Sequence, residues 1–365
     1  MISYAGRSRR TVNNLKTIYF DYPEWTPGNV YFLPATWMQH RQSLEDVVLE
    51  HPRVFPYYKK GSVDYDFKAG MGSPMYETGL HTDCWGTVWN NIARGLDSQV
   101  HDEPVADWSA YEDWKKHLPD PMKDDTFGPR GDWEQLRQSM AAAKAHGNLA
   151  SSCPLMHGFF FMRLYYLRGF ENLMVDLALD DPRLHELISI LEQYNTAVVR
   201  KVLDLGAEEV VLGEDLGMQK SLPISPEMWR KFVKPSYEAT LGQCRDRGTL
   251  LYLHSDGHIL EIIPDLIELG VKVLNPQIRA NGLDGLQKMA KGKVSLNQDL
   301  DRQLFPFATP SGIEDHIGEV FEGLYLKEGG LALVAEVGPE VPLKNVDAIC
   351  RTLEKLCKLP EPSVV

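Results

Sequence analysis

The stretch AEEVVLGEDLGMQKSLPISPEMWRKFVKPSYEATLGQCRDRGTLLYLHSDG, residues 207–257, decides the fold. It opens on a short valine-rich apolar run, Glu209–Gly213, and closes on a second, Leu250–His254. Both have the length and composition of buried strands. Between them an amphipathic segment runs from Pro226 to Arg247. A proline in the first helical turn sacrifices no hydrogen bond, and Gly248 stands where a helix closes. Strand, helix and strand in this order predict a βα unit of a parallel sheet.

The alternation continues in both directions. Further strand candidates are Asn148–Cys153, Val271–Asn275, Lys293–Leu296 and Leu331–Ala335. Helix candidates are Phe160–Leu179, Pro182–Leu205, Ile259–Leu269, Gly282–Ala290, Pro310–Tyr325 and Leu343–Leu356. Pro182 and Pro310 repeat the first-turn proline, and Gly206 and Gly270 repeat the closing glycine. The first 147 residues are less regular, rich in turns and tryptophan, and LPDPMKDDTFGPRGD (118–132) reads as an exposed loop before a helix at Asp132–His146. Strand candidates near Tyr31–Leu33 and Thr82–Trp89 bring the set to the eight of a closed barrel. The reading is an α/β fold, a single TIM (β/α)8 barrel. Residues 1–147 form an irregular N-terminal extension and the first barrel units, and 148–365 supply the remaining units. The competitor is an open doubly wound sheet, but no strand candidate leads into a GxGxxG turn.

Composition narrows the function. With 43% hydrophobic and 24% charged residues the 365-residue chain is globular rather than disordered. A net charge of −13 argues against nucleic acid or an anionic membrane as partner. No apolar run is long enough to span a bilayer, and the N-terminus lacks the apolar core of a signal peptide. Five scattered cysteines without a CxxC pair fit a reducing compartment, so the cytoplasm is expected.

In a barrel of this kind chemistry sits at the C-terminal ends of the strands. Those ends carry Glu214 and Asp215, His254 and Asp256, Asn275, Asn297 and Asp299, and Glu336. The catalytic candidates are Glu214, Asp215, His254 and Asp256. The same rim reads in two ways: as ligands for a divalent ion, from His254, Asp256, Glu214 and Glu336, or as a general acid–base set. Each residue alone has a plainer reading as a helix cap, a turn or a half-buried histidine. Substrate-binding candidates are Asp83 and Trp85 in HTDCWGTVW, then Phe159, Phe160 and Tyr165 in LMHGFFFMRLYYLRGF, and Asn275. The aromatic residues would form a wall, with core packing as the alternative.

The same residues carry a family resemblance. LGEDLGMQKSLPISPEMWRKFVKPSY (212–237), HSDGHILEIIPDLIELGVKVLNPQ (254–277) and EVGPEVPLKNVDAI (336–349) resemble the uroporphyrinogen decarboxylase superfamily. PATWMQHRQSLEDVVLEHPRVF and TDCWGTVWNN extend the likeness more loosely. The superfamily implies a TIM barrel and holds two branches. The decarboxylase handles porphyrinogen carboxylates with an arginine-rich RxxGR segment, an Asp and a late His-Gly. Here TWMQHRQS offers only Arg41, AEVGPEVP has no His, and Asp83 stands near the Asp. The corrinoid-dependent methyltransferases hold zinc by His-x-Cys and a later Cys. Here His254 matches the His, Asp256 takes the place of the first Cys, and Ala335 or Glu336 that of the second.

Hard oxygen ligands in place of thiolates suit polarising an oxygen. The resemblance therefore implies the demethylating component of an O-demethylase system, with Zn²⁺ as Lewis acid on a methyl ether. Phe159, Phe160, Tyr165 and Trp85 would line an aryl pocket. Cobalamin would arrive on a partner corrinoid protein, because the chain has no DxHxxG segment. The methyl donor is a small molecule, and a homodimer is allowed. The alternative is a metal-free lyase acting on a carboxylated substrate, and a non-catalytic barrel is the third class.

Overall fold

A computed structural model describes residues 2–70 and 73–362. The strands of its parallel sheet are β1 (Gly28–Phe32), β2 (Ser151–Ser152), β3 (Glu209–Gly213), β4 (Leu250–Ser255), β5 (Val271–Pro276), β6 (Ser295–Asp299) and β7 (Leu331–Val337). Helices follow the strands along the chain, and the fold is α/β of the TIM-barrel class. The chain divides into two units. One comprises Met1–Thr11, Thr78–Ile92 and Ser98–Leu274; the other comprises Val12–Glu77, Ala93–Asp97 and Asn275–Val365.

In the first unit β2 pairs with β3, and β3 with β4 from Glu209↔Leu250 to Gly213↔His254, all parallel. The helix Pro182–Asp204 shows how the unit is packed. Leu184, Leu187, Leu191, Val198 and Val202 lie on one stripe with 0% exposure, and Glu192 and Thr196 meet the helix Lys234–Asp246 at Ser236 and Thr240. Burying each such side chain stabilises by about 1.5–3 kcal/mol before chain entropy is counted. Asp181 and Ser225 cap this helix and the Pro226–Phe232 helix by accepting from Arg183 N and Met228 N. In the second unit β7 pairs in parallel with β1, from Gly28↔Leu333, and with β6, from Leu296↔Leu331.

The sequence expectations need correction at particular places. The segment Thr82–Trp89 is not a barrel strand but the turn of an antiparallel sheet, Gly79–Thr82 with Val88–Asn91, joined by Gln99–Asp102. Asp83 makes that turn by accepting from Trp85 N and Thr87 N. The parallel strands therefore number seven among the described residues. The helix expected at Phe160–Leu179 breaks into Phe161–Arg168 and Phe170–Leu179, because Gly169 sits at φ +77°. The one expected at Pro226–Arg247 breaks at Val233, where Pro235 starts a new first turn. The 118–132 loop contains a short hairpin, Asp124–Asp125 with Gly128–Pro129. All five cysteines are free, and no helix of the described residues is long and apolar enough to cross a membrane.

Candidate functional site

The site is built at the C-terminal ends of β2, β3 and β4. After β2 the chain runs Cys153–Phe160 before its helix, so His157 lies on this connection, with Gly158 N donating to Gly213 O at 2.8 Å. β3 leads directly into Glu214 and Asp215, and β4 carries His254 near its end, followed by Asp256. The two loops after β3 and β4 are clasped together. Gly217 N donates to Asp256 O at 3.3 Å, and His258 N to Met218 O at 2.7 Å. A Cβ on Gly257, which has φ +80°, would meet Gly217 O at 2.0 Å, so only glycine allows this approach. The clasp fixes the backbone on which Asp215 and Asp256 stand.

The carboxylates at the end of β3 are neighbours with different surroundings. Glu214 is wholly buried. Its Oε1 accepts from Phe160 N at 2.9 Å and Met162 N at 2.8 Å, and its Oε2 accepts from the Tyr237 hydroxyl. Burial pushes this carboxyl up to about 7, against the three hydrogen bonds, which favour the ionised form. Glu214 thus ties β3 to the start of the Phe161–Arg168 helix and to the Lys234–Asp246 helix.

Asp215 instead turns to the rim. His157 Nε2 lies 3.0 Å from its Oδ1, and Asp256 N donates to it at 3.4 Å. Burial and the nearby Asp256 charge raise its pKa, while His157 and His254 oppose the rise. The rings of His157 and His254 meet edge-on with centroids 5.5 Å apart. One ligand atom each from His157, Asp215 and His254 lies within 4.8 Å of the others. Two imidazoles and a carboxylate at this spacing are a donor set that fits Zn²⁺. Asp256 Oδ1 contacts His254 Nε2 at 3.2 Å and stands beside the set, as a carboxylate that orients an imidazole does.

The remaining expected residues fall in different places. Asp83 is buried, and the chain itself occupies its carboxylate. It accepts from Trp85 N, Thr87 N and Trp89 Nε1 and pairs with the guanidinium of Arg163 at 2.5 Å. Trp85 and Phe159 are buried and line a narrow cleft with Leu155 and Tyr194. Phe160 packs against Tyr237 with centroids 5.9 Å apart, and Tyr165 against Tyr166 at 4.9 Å. Burial raises the Tyr165 hydroxyl, with Tyr166, Asp215 and Glu214 adding to the rise, so this phenol stays protonated. Asn275 and Glu336 belong to the second unit. Asn275 Nδ2 donates to Asn297 O at 2.5 Å, and Glu336 pairs with Arg302 at 2.7 Å.

His157 was not among the sequence candidates for metal. Its His-Gly lies four residues beyond the strand candidate ending at Cys153, and the strand itself ends at Ser152, so strand-end reading does not reach it. Arg163, the partner of Asp83, and Tyr237, the partner of Glu214, carry no motif that sequence reading could use.

The structure is similar to a methyltransferase from Methanosarcina mazei, with TM-score 0.57 and 14% identity over 97% of this chain and 99% of that one. At that identity the likeness concerns the fold. Weaker matches include dihydropteroate synthase from Xanthomonas albilineans (TM-score 0.30, 19% identity, 46% of this chain and 62% of that one). Another is a putative vitamin-B12 independent methionine synthase from Listeria monocytogenes (TM-score 0.34, 14% identity, 49% and 56%). No curated protein matches the sequence. The family description "Uroporphyrinogen decarboxylase (URO-D)" matches residues 158–356, over half of the chain, from the Gly after His157 through every later rim residue, and the chain belongs to that family.

Proposed function

We propose that the chain is a methyltransferase that moves a methyl group from a small methoxylated aromatic compound to the corrinoid of a partner protein. Its metal would be Zn²⁺, held by His157, Asp215 and His254. The observation that carries this reading is the convergence of those three ligand atoms within 4.8 Å after three successive strands. Three protein ligands leave one tetrahedral position open, the pattern of catalytic rather than structural zinc. When bound there the ion would supply a Lewis acid to the ether oxygen. The M. mazei neighbour, itself described as a methyltransferase, supports the reading.

The chemistry asks specific things of the chain. Breaking the bond between methyl carbon and oxygen leaves its electron pair on oxygen, while Co(I) of the partner's corrinoid donates the pair for the new bond to carbon. The oxygen must then gain a proton. Asp256, against His254 and outside the ligand set, is the rim acid placed to hold one near that oxygen. An aryl ring would need apolar surface, and Phe159, two residues after His157, is the nearest aromatic residue in sequence able to offer it. The buried Glu214 supports the site from below, by anchoring the segment that follows His157.

The histidine–carboxylate contacts would equally serve a metal-free lyase, so the test separates the two. Protein stripped with a chelator is mixed with cob(I)alamin and methoxylated aromatic compounds, and methylcobalamin is followed by absorbance. The expected result is formation that depends on added Zn²⁺ and is lost in His254→Ala. Equal rates with and without chelator, or CO₂ release from carboxylated substrates as the only reaction, would overturn the proposal.

A further inference from the structure

The glycine pair of LKEGGLAL, residues 326–333, comes before a strand rather than after one, so it is no phosphate loop. It lets the chain turn tightly into β7. Gly329 and Gly330 sit at φ +120° and +83°, and Gly330 N donates to Thr17 O at 2.8 Å. A Cβ on Gly330 would meet the Phe20 ring at 2.0 Å, so only glycine allows this approach. Gly329 in turn lines a cavity of about 190 Å³ that lies wholly within the second unit.

The cavity is built from the chain just before β1, the start of β7 and the C-terminal ends of the helices Pro310–Leu324 and Leu343–Cys357. This is the end of the strands opposite to the rim where barrel chemistry sits. Leu331, which lines it, and Glu336 are five residues apart on β7, about 16 Å at about 3.3 Å per residue. The walls are largely aromatic. Trp25 is buried, and Phe321 and Tyr325 stack with centroids 5.0 Å apart. Cys357 is buried as well, and burial pushes its thiol up to about 12, so this part of the wall carries no charge at neutral pH.

The charged residues that border the cavity, Glu24, Lys327 and Lys358, are all exposed, and Lys327 lies 4.0 Å from Glu328. Their charges stay in water, so the interior favours a neutral ligand over an acid. Thr26 is different. It lines the cavity, is only 7% exposed, and its hydroxyl has no hydrogen-bond partner among the described residues. Such a group is complementary to a second hydroxyl, which can both donate and accept. The volume exceeds the roughly 150 Å³ that accommodates benzene in an apolar protein cavity and falls short of the roughly 300 Å³ at which drug-sized sites begin. It suits one ring.

We propose that this cavity is a binding site for a small neutral phenol, its ring against Trp25, Phe321 and Tyr325 and its hydroxyl paired with that of Thr26. Binding there needs neither zinc nor corrinoid. Only in identifying the phenol as the product that demethylation leaves does the proposal rest on the methyl-transfer reading.

The test uses the full-length protein without added metal or corrinoid. 4-Fluorophenol and 4-fluorotoluene are titrated separately and followed by fluorine NMR line broadening. Saturable binding of 4-fluorophenol is expected. Thr26→Val, which keeps the shape and removes the hydroxyl, should weaken it about 3–10-fold, the range of one neutral hydrogen bond, and leave 4-fluorotoluene unchanged. Thr26→Ser should stay within about 3-fold of wild type. Leu356→Trp, which fills the cavity from a half-buried position, should abolish binding of both ligands. No saturable binding up to about 10 mM, the weak end of specific affinities, would overturn the proposal. So would phenol affinity unchanged in Thr26→Val and in folded Leu356→Trp, which would place the ligand elsewhere, or tighter binding of 4-fluorobenzoate than of 4-fluorophenol. If Leu356→Trp fails to fold, the two Thr26 variants still decide. Phenol binding in a protein that transfers no methyl group would leave this site standing and remove the methyl-transfer reading alone.

Discussion

In the first unit Asp215 and Asp256 stand beside histidines; in the second, Glu336 and Asp301 stand beside Arg302 and Arg279. Both rims come from strand ends, and both are acidic in sequence. The difference lies in what neutralises the carboxylates. A guanidinium stays charged at any accessible pH and donates without ever offering a lone pair, so an Arg-paired carboxylate is electrically finished. A neutral imidazole offers a nitrogen lone pair, so the same carboxylate beside it still needs a cation. Rim position alone therefore does not identify a site; the identity of the partner does.

The sharpest way to break this comparison is inside the first unit, where Asp83 is Arg-paired and fully buried. Arg163→Met should leave that carboxylate without its charge partner and cost about 3–5 kcal/mol, read as a lower denaturant midpoint. A loss of activity with stability intact would mean that Asp83 and Arg163 act chemically. Next in size, Asp215→Asn should lower Zn²⁺ affinity by more than about 100-fold, beyond the range found for outer-shell partners, while thermal stability stays nearly unchanged. Asp256→Asn, beside His254 rather than in the ligand set, should cost about 10-fold in the same titration. An Asp256 effect larger than that of Asp215 would move the metal to a different set of ligands.

A smaller effect is expected at Asp265, a carboxylate paired with Arg230 and Lys234. Burial raises its pKa, but the hydrogen bonds from Arg230 and Lys234 outweigh it, and the carboxyl lies below its ordinary value of 3.8. A lowered native pKa contributes stability that is present above the unfolded value and disappears as pH falls through the native one. The stability difference between wild type and Asp265→Asn should thus be about 1 kcal/mol near neutrality and shrink below about pH 4. A difference that instead grew on acidification would reverse the assignment. Smallest of all, Glu336→Gln should leave Zn²⁺ affinity within about 3-fold of wild type, as expected of a half-exposed ion pair.

How much of this was legible beforehand follows from what kind of physics fixes each part. Periodicity, first-turn prolines and closing glycines revealed the βα units from β2 onward, because each is a local property of the chain. The segment Thr82–Trp89 misled because alternating apolar residues around a turn look alike in a barrel strand and in a hairpin. Asp215, His254 and Asp256 were legible as strand-end residues. Their roles were not, since a role depends on which side chain lies opposite. Glu214 and Asp215 are adjacent in sequence, yet one is held by Tyr237 and two backbone amides and the other faces two imidazoles. The same holds within the 118–132 segment, which reads as exposed although its Arg130 side chain is only 7% exposed.

The central claim is that the metal belongs to His157, Asp215 and His254. Anomalous scattering from a Zn²⁺-soaked crystal, measured on both sides of the zinc edge, tests it most directly. The account predicts one strong peak within coordination distance of those three side chains, about 2.0–2.2 Å from each ligand atom. A peak at Glu336 instead, or none beside His157 and His254 at saturating Zn²⁺, would contradict it.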